Sequence, residues 1–322
     1  MQRKEIPIVM ICDKNFIMQT KVALASMKYN KKKSTIYDVY ILLVDLEENE
    51  AESIQQMNAF DFKINIRSVT IEEYKNIKQI AHVPLASLIK FDICDLITEY
   101  DKLLYLDGDI IVKNDLTELY NTELFDNYIA GVPHSLGIIT GERKLNGGVL
   151  LFNAKKIRQE KLRRIFVETR QSLGERKSMD QETFHIVFGE KKLYLNPRYN
   201  IMIDKIEYEK KYYSIKSYNE FFNTCYKSRK DIVEKATIIH YTGAIKPWEY
   251  KFAPGAEVWY KYYLLTYGRD NELKRADSIS YFMTLIKKSG IRSIYWYVKD
   301  KVLGFLGETL GIFLEKKHGE WN

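Results

Sequence analysis

Asp107 and Asp109 stand two residues apart inside an otherwise apolar run over 102–112. Buried carboxylates need a cation or hydrogen-bond donors. Side chains at i and i+2 of an extended segment point to the same side, so both acids aim at one place. Gly108 between them lets the backbone bend or pass closely. Two hard oxygen ligands at one point suit a divalent cation such as Mn2+ or Mg2+. The plainer alternative is an edge turn carrying two solvated acids. His240 ends a second short apolar run, where a neutral imidazole is a candidate metal ligand. Gly243 and Lys246 follow in a turn, and a backbone amide with an ammonium suits a phosphate. Asn146, Gly147 and Gly148 enter an apolar run over 149–152; paired glycines there allow a ligand to approach the backbone, or form a bulge or tight turn. Asp180 and Gln181 fall in the first turn of a helix capped by Ser178, where an acid can serve only the helix dipole.

The elements that must hold these residues follow from periodicity. Residues 6–12 read as a buried strand ending at Asp13 and Asn15. A helix through Val22, Leu24, Ala25 and Met27 comes next, then a strand over 38–46, a polar helix over 48–60 and a strand over 65–69. This βαβαβ order predicts right-handed crossovers and a mostly parallel sheet with helices on its faces. Ligands of such sheets sit beyond the carboxyl ends of the strands, which makes Asp13 and Asn15 neighbours of the Asp107/Asp109 pair in one crevice. Helical periodicity over 84–100 runs through Leu85, Leu88, Ile89, Ile93 and Leu96/Ile97. Lys90 lies off that stripe, either reaching the crevice or staying solvated. A capped short helix over 114–119, a strand over 129–133, a mobile loop over 134–145, a basic helix over 155–171 and a last core strand over 193–196 complete the layout. Residues 204–235 read as a helical or irregular cap over the crevice. In the tail, Ile291, Ile294, Tyr295, Val298, Val302, Phe305 and Leu306 mark one face of an amphipathic helix. Such a basic helix lies on an anionic membrane, or packs on its own domain or a partner.

Of the 322 residues, 46% are hydrophobic and 29% charged, enough for one large domain and a tail. Net charge is +7, yet no nucleic-acid fold signature accompanies it. A membrane surface or an anionic substrate accounts for the excess, and nucleic acid is not expected as a partner. Cys12, Cys94 and Cys225 lack metal or redox spacing and read as reduced packing residues of a cytosolic protein. The first residues carry no signal-like apolar region, and no apolar stretch reaches membrane-spanning length. A cytoplasmic chain, peripheral on the inner face of the cell membrane, is the expectation.

Five ordered blocks between about residues 6 and 252 resemble glycosyltransferase family 8, retaining enzymes of the GT-A fold. They are Cys12-Asp13-Lys14-Asn15, the 104–109 run Leu-Tyr-Leu-Asp-Gly-Asp, the 145–153 run Leu-Asn-Gly-Gly-Val-Leu-Leu-Phe-Asn, Met179-Asp180-Gln181, and the 240–248 run His-Tyr-Thr-Gly-Ala-Ile-Lys-Pro-Trp. The resemblance implies an α/β GT-A (Rossmann-like) domain over 1–268, with 204–235 on the acceptor side, and a C-terminal helical tail over 269–322. It implies that Asp107, Asp109 and His240 bind Mn2+, or Mg2+, bridging the phosphates of UDP-glucose or UDP-galactose. Asp13 would hydrogen-bond the uracil, Asn15 would touch the nucleoside, and Gly243 and Lys246 would hold the pyrophosphate. Asn146, Gly147, Asp180 and Gln181 would surround the sugar, with Cys12, Lys90 and Gly108 also on the donor side and His82 toward the acceptor. Where the family usually has Tyr-x-Arg, this chain has Leu88-Ile89-Lys90, so the basic donor contact lacks the arginine fork. Neither Gln181 nor Asp180, the residues implied nearest the anomeric carbon, is a convincing free nucleophile, which favours front-face substitution. A glycan or lipid-linked acceptor is implied. The alternatives are a non-catalytic nucleotide-sugar-binding protein of the same fold and an Asp-x-Asp phosphatase.

Overall fold

The computed structural model describes residues 4–44, 48–77, 85–174, 179–209 and 212–277. His82, Ser178 and the amphipathic stretch over 291–306 lie outside the described residues. Two compact units divide the chain: Met1–Ala244 with Glu257–Asn271, and Ile245–Ala256 with Glu272–Asn322.

The first unit is built on ten strands among the described residues. They are β1 (Lys4–Asp13), β2 (Thr35–Val44), β3 (Phe62–Val69), β4 (Leu103–Leu106), β5 (Ile110–Val112), β6 (Ile129–Pro133), β7 (Leu145–Phe152), β8 (Lys192–Tyr194), β9 (Ile201–Met202) and β10 (Ile238–His240). Seven form one sheet in the order β3-β2-β1-β4-β7-β6-β8. Pairs β3/β2, β2/β1, β1/β4 and β6/β8 are parallel, as expected, whereas β7 runs antiparallel to both neighbours. The remaining three form a small sheet, β5-β10-β9.

Strand alternation divides the core between the sheet's faces. Tyr37, Val39, Ile41 and Leu43 of β2 pack with Ala23, Leu24 and Met27 of the helix Ile17–Asn30. Tyr40, Leu42 and Val44 belong to the opposite cluster with Phe166, Phe184 and Phe188, from the helices Leu162–Ser172 and Met179–Phe188. Burying each such side chain contributes about 1.5–3 kcal/mol. An exposed pair such as Lys75–Glu72 contributes about 1 kcal/mol at most. The sheet faces, not the surface ion pairs, therefore hold the fold together.

Several expectations need correction. The run over 102–112 is two strands in two sheets, and the chain changes sheets at the acids between them. The expected helix over 84–100 is a 3₁₀ segment, Leu85–Phe91, followed by one short α-turn, Ile93–Leu96. The basic helix breaks at Lys161, whose φ of 54° lies in the left-handed region. The expected loop over 134–145 contains a short helix, Gly137–Thr140, closed by Gly141 at φ 78°. The polar helix ends at Gln55, short of residue 60. Over residues 204–235, expected to be helical or irregular, fall the helices Ile203–Tyr208, Ile215–Phe222 and Arg229–Glu234.

The units divide at 271/272 where a boundary at 268/269 was expected, and residues 245–256 go with the second. Backbone hydrogen bonds explain that grouping: the Lys251 N–H donates to the Ala276 carbonyl (3.0 Å), and the Ala276 N–H to that of Glu249 (2.7 Å). Lys246 belongs to this second unit, with its ammonium 5.3 Å from the Trp248 ring centre. No helix among the described residues is long and apolar enough to cross a membrane.

Candidate active site

Asp13 is the last residue of β1, and Asp107 follows β4, its parallel neighbour. The two features thus meet at one carboxyl edge, as the topology predicts. Asp13 Oδ1 accepts the Asn15 N–H (2.8 Å) in the turn that leads to the helix Ile17–Asn30. A Cβ on Gly108 would lie 3.0 Å from Thr20 Oγ1 and 3.2 Å from Phe16 Cδ1, so the glycine lets the acid-bearing link pass that helix. Cys12 is turned into the core, where burial pushes its thiol up to about 12. Its side chain is therefore not a donor contact; only its backbone could be one.

Asp109 precedes Ile110, which pairs with His240 across β5 and β10. The Tyr241 N–H donates to the Asp109 carbonyl (3.0 Å), clamping this end of the small sheet. His240 Nε2 comes 3.1 Å from Asp109 Oδ1 and 3.8 Å from Asp107 Oδ2. One ligand atom from each of Asp107, Asp109 and His240 lies within 4.8 Å of the other two. Two hard oxygens and an imidazole nitrogen, converging with Asp109 and His240 buried, fit a divalent cation.

The glycines of β7 make room for this assembly. A Cβ on Gly148 would stand 2.1 Å from His240 Cε1, and one on Gly147 would stand 2.7 Å from Asp180 Oδ2 and 3.2 Å from Gln181 Cγ. On their Cβ side these glycines are approached by the chain's own side chains. Gly243 behaves likewise: its Cβ would lie 2.9 Å from Asp204, whose Oδ1 accepts the Thr242 hydroxyl.

Lys90 reaches the crevice. Its ammonium donates to Asp180 Oδ2 (2.7 Å) and the Gly147 carbonyl (3.1 Å), and lies 3.3 Å from Asp107 Oδ1. The Tyr105 ring centre is 4.8 Å away. Burial pulls this ammonium's pKa down, but the carboxylates of Asp107 and Asp180 outweigh it and hold the value above an ordinary lysine. Lys90 is a fixed cation here.

Two residues that sequence reasoning passed over complete the frame. The buried Tyr105 hydroxyl donates to Asp107 Oδ1 (2.5 Å). Asn200 Oδ1 sits 2.9 Å from His240 Nδ1. Tyr105 had one signal, its i, i+2 relation to Asp107; Asn200 had none beyond its place in a polar turn.

The family model for glycosyl transferase family 8 matches residues 7–251. The chain belongs to glycosyltransferase family 8. It is 31% identical over 192 residues to glycosyltransferase GlyE of Streptococcus pneumoniae serotype 4 (strain ATCC BAA-334 / TIGR4), covering 58% of this chain and 43% of that protein. It is 26% identical over 252 residues to GlyD of the same strain, covering 75% of this chain and 28% of that one. The chain thus spans under half the length of both. Against the lipopolysaccharide 1,2-glucosyltransferase of Escherichia coli it is 26% identical over 254 residues, covering 73% and 71%. A crystal structure of the galactosyltransferase LgtC with donor and acceptor sugar analogues superposes with a TM-score of 0.66 at 24% identity, covering 80% of this chain and 95% of that one. The shared architecture is the GT-A fold.

Proposed function

We propose that this chain is a retaining hexosyltransferase that moves glucose or galactose from a UDP-sugar to a glycan or lipid-linked acceptor. Carrying the proposal is the convergence of Asp107, Asp109 and His240 at the carboxyl edge of the parallel strands, beside the buried Lys90–Asp180 pair. In this reading the triad holds Mn2+, or Mg2+, which when bound neutralises charge developing on the departing diphosphate. Asp13 and Asn15 take the nucleoside, and Gly243 the pyrophosphate. Asn146, Gly147, Asp180 and Gln181 surround the sugar.

Asp180 is ion-paired with Lys90 and buried, and Gln181 carries only an amide. Both facts support front-face substitution, in which a phosphate oxygen of the donor accepts the acceptor's proton. The net charge of +7 and the relation to a lipopolysaccharide glucosyltransferase favour a cell-envelope acceptor, reached from the cytoplasmic face of the membrane.

The test is UDP release from a panel of sugar nucleotides with Mn2+. UDP-glucose or UDP-galactose should be turned over slowly without acceptor, and Asp109→Ala should lower that rate at least ~100-fold. A wild-type chain that releases no UDP from any common sugar nucleotide would refute transfer. A glycosyl adduct trapped on Asp180 or Gln181 would replace the front-face route with a covalent one.

A further inference from the structure

We infer that Asn200 is a positioning residue that keeps the proton of His240 on Nδ1 and so leaves the Nε2 lone pair facing Asp107 and Asp109. The inference rests on the metal site proposed above. It follows from the direction of a chain of hydrogen bonds whose starting point has only one polarity. The backbone N–H of Gly148 must donate, and its partner, 3.0 Å away, is the Asn146 side chain. That side chain therefore presents oxygen there, as Oδ1. The same Oδ1 is 2.8 Å from Asn200, so Asn200 must offer its NH₂ at that end. Its other end, the Oδ1, is then the atom 2.9 Å from His240 Nδ1. An amide oxygen only accepts, so Nδ1 carries the hydrogen and Nε2 is bare in the neutral ring.

Every link is shielded from water. Asn146, Asn200 and His240 are buried to 4%, 1% and 3% exposure, so solvent does not reach the links to reverse their order. The second ring nitrogen of a metal-bound histidine ordinarily donates to an outer partner, which fixes tautomer and ring angle. Here that partner is a neutral amide, itself oriented by a peptide N–H two positions removed. The consequence at the metal end is chemical. A bare Nε2 lies 3.1 Å from a carboxylate oxygen of Asp109 with no proton of its own to offer, an arrangement that a cation relieves. The same chain also orients Asn146: its oxygen is used twice internally, so only its NH₂ can point to a bound sugar.

The test reads the proton directly. Nitrogen NMR of the full chain with ¹⁵N-labelled histidine, metal-free at about pH 9 where an ordinary imidazole is neutral, should show His240 protonated on Nδ1 alone. Its resonance is assigned by its loss in His240→Gln. Any proton on Nε2 overturns the inference, whatever the metal does. Mn2+ titration followed by electron paramagnetic resonance should show Asn200→Leu binding about 10–100-fold more weakly than wild type. Asn200→Asp, which still accepts from Nδ1 but loses its donor to Asn146, should recover part of that loss and keep the wild-type tautomer. Equal weakening in both variants would assign Asn200 a packing role and refute the inference; should the leucine variant not fold, the aspartate variant and the wild-type spectrum decide it. A wild-type protein protonated on Nδ1 that takes up no Mn2+ would instead defeat the metal reading alone.

Discussion

Gly148 shows how tightly single atoms constrain the site. A methyl group there would fall 2.1 Å from Cε1 and 2.6 Å from Nδ1 of His240, deep inside contact distance. The imidazole cannot step aside, because it ends the central strand of the small sheet and is tied to Asn200. Gly148→Ala should therefore cost about 1–3 kcal/mol, measured by urea unfolding. It should also weaken Mn2+ binding, since the ring must move from the carboxylates. Wild-type Mn2+ affinity in a folded Gly148→Ala protein would remove His240 from the metal site. Asp107, Asp109 and His240 were legible in the sequence because charge at the end of an apolar run contradicts its surroundings. Asn200 and Tyr105 were not: nothing local marks Asn200, and Tyr105 shows only its i, i+2 relation to Asp107. One looks like a turn residue and the other like core, and the partner of Asn200 lies 40 residues away.

At the scale of elements, the parallel half of the sheet was readable from βαβαβ order, since a crossover helix leaves few other solutions. The reversed direction of β7 was not, because a strand buried on both faces has the same apolar composition in either direction. The change of sheet at Asp107–Asp109 was hidden for a related reason: both flanking runs are fully buried. The Leu85–Phe91 segment satisfied helical spacing because an i, i+3 repeat suits 3₁₀ and α geometry alike. What periodicity left open was the destination of Lys90, and there the energetics are large. Lys90 and Asp180 are almost wholly buried. Lys90→Met would leave Asp180 and Asp107 facing each other without a cation. Removing one partner of a buried pair costs about 3–5 kcal/mol, and equilibrium unfolding should show a loss of that order. The double variant Lys90→Met/Asp180→Leu should lose clearly less than the sum of the two single changes. Strict additivity would mean the two charges do not sustain each other.

The whole molecule carries its +7 with histidines counted neutral, so each imidazole that gains a proton adds to an existing excess. Two histidines are built to resist this. Burial and the nearby Lys205 hold His134 below the ordinary value, and its Nδ1 accepts the Leu136 N–H (3.0 Å), a bond that protonation would break. Burial and the ammonium groups of Lys192 and Lys144 lower His185, whose Nδ1 is 3.2 Å from Lys192 Nζ. A folded pKa below the unfolded one means that the unfolded chain takes up protons first as pH falls. Their contribution to stability is therefore complete above about pH 6.5 and is lost as pH drops from there toward the folded values. Melting temperature should decline between about pH 6.5 and pH 5.5, above the range where ordinary carboxylates titrate. The variant His134→Gln/His185→Gln should show a flatter decline over that interval. If its decline is as steep as that of the wild type, protonation elsewhere, and not these two half-buried rings, sets the acid limit of the fold.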